Sequence, residues 1–240
     1  LYTSLLLSSK LIGVSDYTYR GIVARIPWRK GSVYKQYEGV DLLKYKRSDI
    51  KSIDATKKKY ALNGSYFLSV GTLNRRKNLE NMITAFSLFF EEHGNKEIDY
   101  VIVGKCAKGY KTIYDFAKKT HLGNRIRFLG RLDDREVIDL YSGALALLYV
   151  SKDEGFGLPI LEAMACECSV TTSNIASMSE VGGDTVIKVS SDDVEAIKGA
   201  LHYIVDPGHA VQLEIQKLAG IERVKEFSWK QCAEFVENIY

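Results

Sequence analysis

Two carboxylates, Glu154 and Glu162, bracket the stretch EGFGLPILE at residues 154–162. Between them, Gly155 and Gly157 let the backbone come close to a ligand. The spacing predicts a helix opening at about Pro159, whose missing N–H is harmless in a first turn. The leading N–H groups of a helix lack internal partners and favour a negative group. Each carboxylate can accept hydrogen bonds from paired hydroxyls on a sugar ring or a ribose. Together these groups suit a sugar joined to a diphosphate. The same spacing fits an ordinary loop whose glutamates oppose a helix dipole, so the rest of the chain has to decide.

A second set of groups lies in VGTLNRRKN (70–78), which puts Arg75, Arg76 and Lys77 beside the start of the next predicted helix. Fixed positive charge there would clamp a diphosphate and offset the charge that grows on a leaving phosphate. Taken alone, it equally fits a basic surface turn. GKCAKGYKT (104–112) nearly spells a phosphate-binding loop, but Tyr110 interrupts the contiguous Gly-Lys-Ser/Thr that nucleoside-triphosphate hydrolysis needs. No G-x-G-x-x-G occurs, which weakens a dinucleotide reading. No Asp-x-Asp occurs, so a metal-bound diphosphate is unsupported and no metal site is expected. Cys166 and Cys168 have no second pair to complete a zinc pattern. All four cysteines, with Cys106 and Cys232, are read as reduced and mostly buried. His93, His121, His202 and His209 have no nucleophile partner and are read as structural or exposed.

Positioning these groups requires a scaffold, and one is legible from residue 66 onward. YFLSVG (66–71), DYVIVG (99–104), IRFLG (126–130), LALLYV (145–150), SVTTS (169–173) and TVIKV (185–189) read as strands. Helical spacing follows the first (Leu79, Met82, Ile83, Phe86, Phe89, Phe90) and the second (Ile113, Phe116, Ala117). Asp133 and Asp134 can cap a helix through Val137, Ile138 and Tyr141. Further helices are predicted at about 192–205, 208–226 and 229–239. Six alternating strands and helices predict an α/β fold with a Rossmann-like, doubly wound parallel sheet. Ligands of such sheets bind beyond the carboxyl ends of the strands. Gly71, Gly104, Gly130 and the 151–157 loop all fall there, so the candidate residues converge on one crevice.

Residues 1–65 read as a small β-α-β unit, with strands at KLIGVS (10–15) and SVYKQY (32–37) and a helix near Tyr19–Ile26. EGVD (38–41) is a turn, and a Lys-rich stretch then leads into the main sheet. The unit is too small to be a domain alone. The chain has 240 residues, 46% of them apolar and 26% charged, and no apolar run of membrane-spanning length. Its net charge of +3 conceals an asymmetry: residues 1–63 carry +8 and residues 64–240 carry −5. The basic part suits an anionic surface such as a membrane leaflet, or is simply a solvated face. There is no initiator Met, and residue 1 is expected to lie mid-chain.

VGTLNRRKN, DYVIVGK, IRFLG, EGFGLPILEAMA, ASMSEVGGD and KEFSW, in that order, resemble the C-terminal half of family 4 glycosyltransferases, retaining enzymes of GT-B fold. The resemblance covers about residues 64–240, and GVSDYTYRGIV with EGVD is similar to that family's domain junction. It implies residues 1–63 as a remnant of the acceptor domain and linker, 64–226 as the nucleotide-sugar-binding domain and 227–240 as a C-terminal helix. It also implies roughly 150 further residues upstream. Arg76 and Lys77 would hold the donor diphosphate. Glu154 would meet the transferred sugar, with Gly155, Phe156, Gly157 and Leu158 around sugar and phosphate, and Glu162 would hold the ribose. Gly71 lies at the same crevice. Gly104 and Lys105, with Arg127, Phe128 and Leu129, would lie near the nucleobase. Glu180 falls in a matching segment with no assigned role. Thr72 replaces an Arg usual in the family, Glu167 a Gly, and Glu38 an Asn.

The function implied is metal-independent transfer of a hexose to a glycan or lipid-linked acceptor, in polysaccharide biosynthesis. The donor would be GDP-mannose ahead of UDP-glucose, with no cofactor. The expected setting is the cytoplasm, at the inner face of a membrane, with no nucleic-acid partner. Two other readings stand beside it: a non-catalytic sugar-nucleotide-binding subunit, and a GT-B nucleotide-sugar epimerase. The aromatics Phe227, Trp229, Phe235 and Tyr240 would pack either towards the absent domain or into this domain's core.

Overall fold

The computed structural model describes residues 6–93 and 97–239, without the side chains of His93 and Asn124. The main sheet holds β3 (Ser65–Val70), β4 (Ile98–Val103), β5 (Ile126–Gly130), β6 (Ala146–Tyr149), β7 (Ser169–Ser173) and β8 (Ile187–Val189). Its order is β5-β4-β3-β6-β7-β8, and every pair is parallel. Such a sheet must be covered on both faces, which is why β4 is buried at all six positions. The faces alternate along each strand. Tyr66, Leu68, Leu147 and Tyr149 pack on one side with Leu140, Tyr141, Leu161 and Met164. Phe67, Leu148, Tyr100 and Ile102 pack on the other with Ile83, Phe86, Phe89 and Leu201.

Eight helices of this part follow in order. They are α2 (Ile50–Lys59), α3 (Leu79–His93), α4 (Thr112–Lys118), α5 (Asp134–Gly143), α6 (Leu158–Ala165), α7 (Ala176–Gly182), α8 (Val194–Val205) and α9 (Ala210–Val224). Asp133 caps α5 in a capping box with Glu136, as the sequence leads one to expect. Helix α2 occupies what was read as a connecting Lys-rich stretch. Asp49 caps it, and Ile53 and Thr56 are its buried residues. Buried Asp139 of α5 accepts from Thr56 Oγ1 at 2.8 Å and from Ser48 Oγ, which fastens the stretch down. Helix α7 was also unforeseen, and β8 is shorter than TVIKV because Gly183–Thr185 forms a 3₁₀ turn.

Ahead of this lies the expected β-α-β unit: β1 (Leu11–Gly13), α1 (Asp16–Arg25) and β2 (Val33–Lys35), with β1 and β2 parallel. It is docked on the main body. Tyr37 packs its ring against Phe156 and Phe227 at 6.0 and 5.5 Å between centroids, and Val40 N–H donates to the Phe227 carbonyl. The closing helix, α10 (Trp229–Ile239), answers the question of the aromatics individually. Phe227 is core, Trp229 is 47% exposed, and Phe235 meets Tyr34 of β2. Tyr240 lies outside the described residues. Among the described residues, no helix is long and apolar enough to cross a membrane.

In the sheet order, β3 runs to β4 on one side and has β6 on the other. The winding therefore reverses between β3 and β6, and a ligand crevice is expected beyond the carboxyl ends of those two strands.

Candidate functional site

At the end of β3 the chain turns at Gly71, whose φ of +138° is closed to most side chains. The carbonyl of Gly71 lies so near Gly104, at the end of β4, that a Cβ on Gly104 would sit 1.9 Å from it. Asn74 then caps a 3₁₀ turn over Arg75–Lys77, accepting from Lys77 N–H at 3.2 Å. The turn closes at Asn78, in the left-handed region at φ +59°. Asn is one of the few residues that visit that region readily. Its buried amide donates to the carbonyls of Val150 and Ser191 at 3.1 and 2.7 Å. Asn78 thus ties the basic turn to the end of β6. It is a site-building residue that the sequence reading passed over, although an Asn closing a turn was a usable signal.

The basic turn meets the loop after β6. Lys152 N–H donates to the Arg76 carbonyl at 2.8 Å, and Arg76 Nη1 donates to the Asp153 carbonyl at 2.6 Å. Glu154 is only 7% exposed. Its Oε2 pairs with Arg76 and its Oε1 lies 2.7 Å from Lys77 Nζ. That oxygen has the ammonium beside it but no aligned hydrogen bond. Lys77 Nζ also donates to Tyr149 Oη at 2.7 Å and stands 4.2 Å above the Tyr149 ring. Burial alone would raise the Glu154 pKa; the Lys77 and Arg76 charges outweigh it and hold the carboxyl below its ordinary range. Burial pushes the Lys77 ammonium down, against the pull of Glu154.

The EGFG backbone is held from both sides. Ser177 Oγ donates to the Glu154 carbonyl at 2.8 Å, and Ser15 Oγ of the β-α-β unit donates to the Gly155 carbonyl at 2.7 Å. Phe156 is buried, and Gly157 is the N-cap of α6, with Leu158 and Pro159 opening the helix. Glu162 comes one turn later and faces a pocket of about 250 Å³, lined by Val40, Lys44, Tyr45, Leu158 and Trp229. It accepts from Tyr141 Oη at 3.0 Å, and burial raises its pKa. The two glutamates are therefore opposite in character: one is kept ionised by cations, the other is biased towards its neutral form.

Most of the residues singled out from sequence do converge. Gly71, Arg76, Lys77, Glu154, Gly155, Phe156 and Gly157 meet at the β3–β6 reversal, and Glu162 lies one helical turn on. Gly104 closes the neighbouring strand end, and Lys105 reaches it through its backbone, its carbonyl accepting from Leu73 N–H at 2.9 Å. Arg127 does not join them. It lies near the start of β5, at the opposite end of the sheet, 3.6 Å from Asp99 and donating to the carbonyls of Tyr60 and Ala61 at 2.6 and 3.1 Å. Phe128 stacks edge-on with Tyr114 at 4.7 Å, and Leu129 packs on the other core face, so neither side chain extends beyond the strand end. Of the four cysteines, Cys106 and Cys232 are half-buried rather than buried. Cys166 and Cys168 are buried, and burial pushes the Cys168 thiol up to about 12.

A doubly wound sheet with a cation-carboxylate cluster at its switch point has its charged groups where sheets of this class hold their ligands. Comparison with known proteins narrows this further. The profile of the family described as "Glycosyl transferases group 1" matches residues 52–212, and the chain belongs to that family. It is 32% identical to O-antigen chain mannosyltransferase B of Escherichia coli, over 73% of this chain and 45% of that protein. It is 31% identical to the serotype-specific mannosyltransferase WbdA of the same species, over 75% of this chain and 22% of that protein. The chain thus spans about half the length, or less, of these curated relatives. Among solved structures it resembles Anabaena HepE in complex with UDP and glucose, with a TM-score of 0.84 at 18% identity. That match covers 99% of this chain and 65% of HepE. A glycosyltransferase of Rickettsia africae matches with a TM-score of 0.85 at 18% identity, over 100% of this chain and 65% of that one. These structural likenesses establish the fold, GT-B in kind.

Proposed function

We propose that this chain is the donor-binding half of a retaining, metal-independent glycosyltransferase that moves a hexose from a nucleotide-diphosphate sugar to a glycan or lipid-linked acceptor. The observation that carries the reading is Glu154, buried between Arg76 and Lys77 beyond the ends of β3 and β6. Before ligand arrives, the carboxylate keeps both cations pointed at one place. A diphosphate entering there finds positive charge already oriented, so little reorganisation is needed as leaving-group charge develops. Glu162 in its pocket supplies the acceptor for ribose hydroxyls.

In the reaction, the bond from the anomeric carbon to the phosphate oxygen breaks. A bond from the same carbon to the acceptor oxygen forms on the same face. The acceptor's proton passes to the departing phosphate, whose charge Arg76 and Lys77 hold. Positioning and electrostatics supply most of the rate. GDP-mannose is the preferred donor, supported by the mannosyltransferase relatives, and the process is polysaccharide assembly, as the O-antigen names suggest. Residues 1–63 are the end of an acceptor domain plus linker, 64–226 the donor domain, and 227–240 a closing helix. The basic N-terminal unit, where Trp28 is 72% exposed beside Arg25, Arg29 and Lys30, rests against an anionic inner leaflet in the cytoplasm.

Calorimetric titration with GDP, UDP, ADP and dTDP tests the proposal. Selective binding of one of them, GDP first, weakened in both Lys77→Ala and Glu162→Ala, is the expected result. Binding that neither variant alters, or no binding at all, would count against it.

A further inference from the structure

Helix α1 begins at the carboxyl end of β1, and its first turn is satisfied in an unusual way. Ser15 Oγ accepts from Thr18 N–H at 3.1 Å, which accounts for the third helical amide. The first two amides are taken by a residue more than 160 positions away. Glu180 Oε1 accepts from Asp16 N–H at 2.8 Å and Oε2 from Tyr17 N–H at 3.4 Å. The same carboxylate accepts from Tyr37 Oη, just past β2, at 2.7 Å. One side chain on α7 therefore grips the β-α-β unit at two points, just past the carboxyl ends of its two parallel strands, with its charge at the favourable end of the α1 dipole.

Glu180 is itself anchored. Arg223 of α9 donates to the Glu180 carbonyl at 2.6 Å and to the Val181 carbonyl at 2.7 Å. Its guanidinium lies so close to Gly183 that a Cβ there would be 2.7 Å from Cζ. The grip thus runs from α9 through α7 to α1, along the wall of a cleft of about 620 Å³ between the two units. Ser15, the residue before Asp16, donates to the Gly155 carbonyl next to Glu154. What Glu180 holds in place is the segment that touches the donor loop.

We infer that Glu180 is a positioning residue, a latch that sets the β-α-β unit against the EGFG loop without contacting the donor. The link to the loop rests on the donor-site reading above; the latch itself does not. Amide hydrogen exchange on the 240-residue chain tests it, together with GDP titration. In Glu180→Ala, amides of residues 16–25 should exchange at least about tenfold faster while those of β4 do not change. The GDP affinity should stay within about twofold. Glu180→Gln keeps a carbonyl oxygen for Asp16 N–H and Tyr37 Oη, so it should restore most of the protection. Tyr37→Phe should give a smaller loosening in the same segment. Unchanged exchange at 16–25, or an equal acceleration throughout the chain, would overturn the latch. So would loss of GDP binding with α1 protection intact, since Glu180 would then be a ligand contact. Failure of the unmodified chain to bind any nucleotide counts against the donor-site reading alone, and the exchange pattern still decides on Glu180.

Discussion

At the scale of single residues, the two glutamates that look alike in EGFGLPILE behave as opposites. Glu154 has its folded pKa depressed. Its contribution to stability is present above the unfolded pKa and is lost as the pH falls through the folded value. Glu154→Gln leaves two cations facing each other and should lower stability at neutral pH by about 1–3 kcal/mol. Thermal melts of both proteins across the carboxylate range should converge on acidification. Glu162 has its folded pKa raised, so its favourable contribution lies below the unfolded pKa and is lost as the pH rises through the folded value. Glu162→Gln should therefore leave the neutral-pH melting point unchanged or higher, while weakening nucleotide binding about tenfold in calorimetry. A paired result with these signs reversed would mean the roles have been exchanged. Sequence identifies both carboxylates but not this contrast, which depends on which of them Arg76 and Lys77 reach. Arg127 shows the same limit. IRFLG marks a strand, but nothing in five residues says that the second points back to Asp99 and the end remote from the crevice.

At the scale of elements, the turns carry the information. Gly71→Ala places a Cβ 3.2 Å from Lys77 Cε at a positive φ, against the end of a flexible side chain. It should cost about 1–2 kcal/mol and displace the ammonium, so nucleotide binding should fall further than stability. Gly104→Ala meets the Gly71 backbone at 1.9 Å and has no such escape. Chemical denaturation should show a loss of about 2–4 kcal/mol. Glu167 is the reverse case. It follows α6 at φ +59°, with Glu167 N–H and Cys168 N–H folding back on the Met164 and Ala163 carbonyls, a place that favours glycine. Its pairing with Arg47 at 3.8 Å is exposed and worth little. Relief of left-handed strain outweighs the added chain entropy, so Glu167→Gly should raise stability by about 0.5–1 kcal/mol. Strands β3, β4 and β6 were legible because parallel strands buried on both faces read as apolar runs, whereas β7, SVTTS, is fully buried yet mostly hydroxylic and shows itself by its β-branched residues. Helix α2 was not, since IKSIDATKKK buries only Ile53 and Thr56 and its polarity hides its period. Helix α7, ASMSEVG, offers only Met178 and Val181 as large apolar residues, a single i, i+3 pair among small and polar ones, so its period does not show.

At the scale of the whole molecule, the strand order lay beyond reach of the sequence, because hydrophobic period says which residues are buried and nothing about which strands are neighbours. Yet the order is what brings residues 71–78 and 151–157 together. The acceptor-binding part of such an enzyme lies outside this chain on the reading proposed. The 240-residue chain should therefore bind donor nucleotide and transfer little or no sugar in a radiolabel assay; measurable transfer by it would contradict that assignment.

The reversal between β3 and β6 has a further consequence, for how the protein is made. As the chain leaves the ribosome, β3, β4 and β5 can pair one after another, each with a partner already synthesised or immediately next. The strand that completes the crevice, β6, arrives only after them and must slot in on the far side of β3. The Lys77–Glu154 pair thus joins an early half to a late half, and its closure reports that both have met. A stall in translation before residue 146 would leave β3 with an unpaired edge and the Arg76 and Lys77 side chains without the residues that orient them.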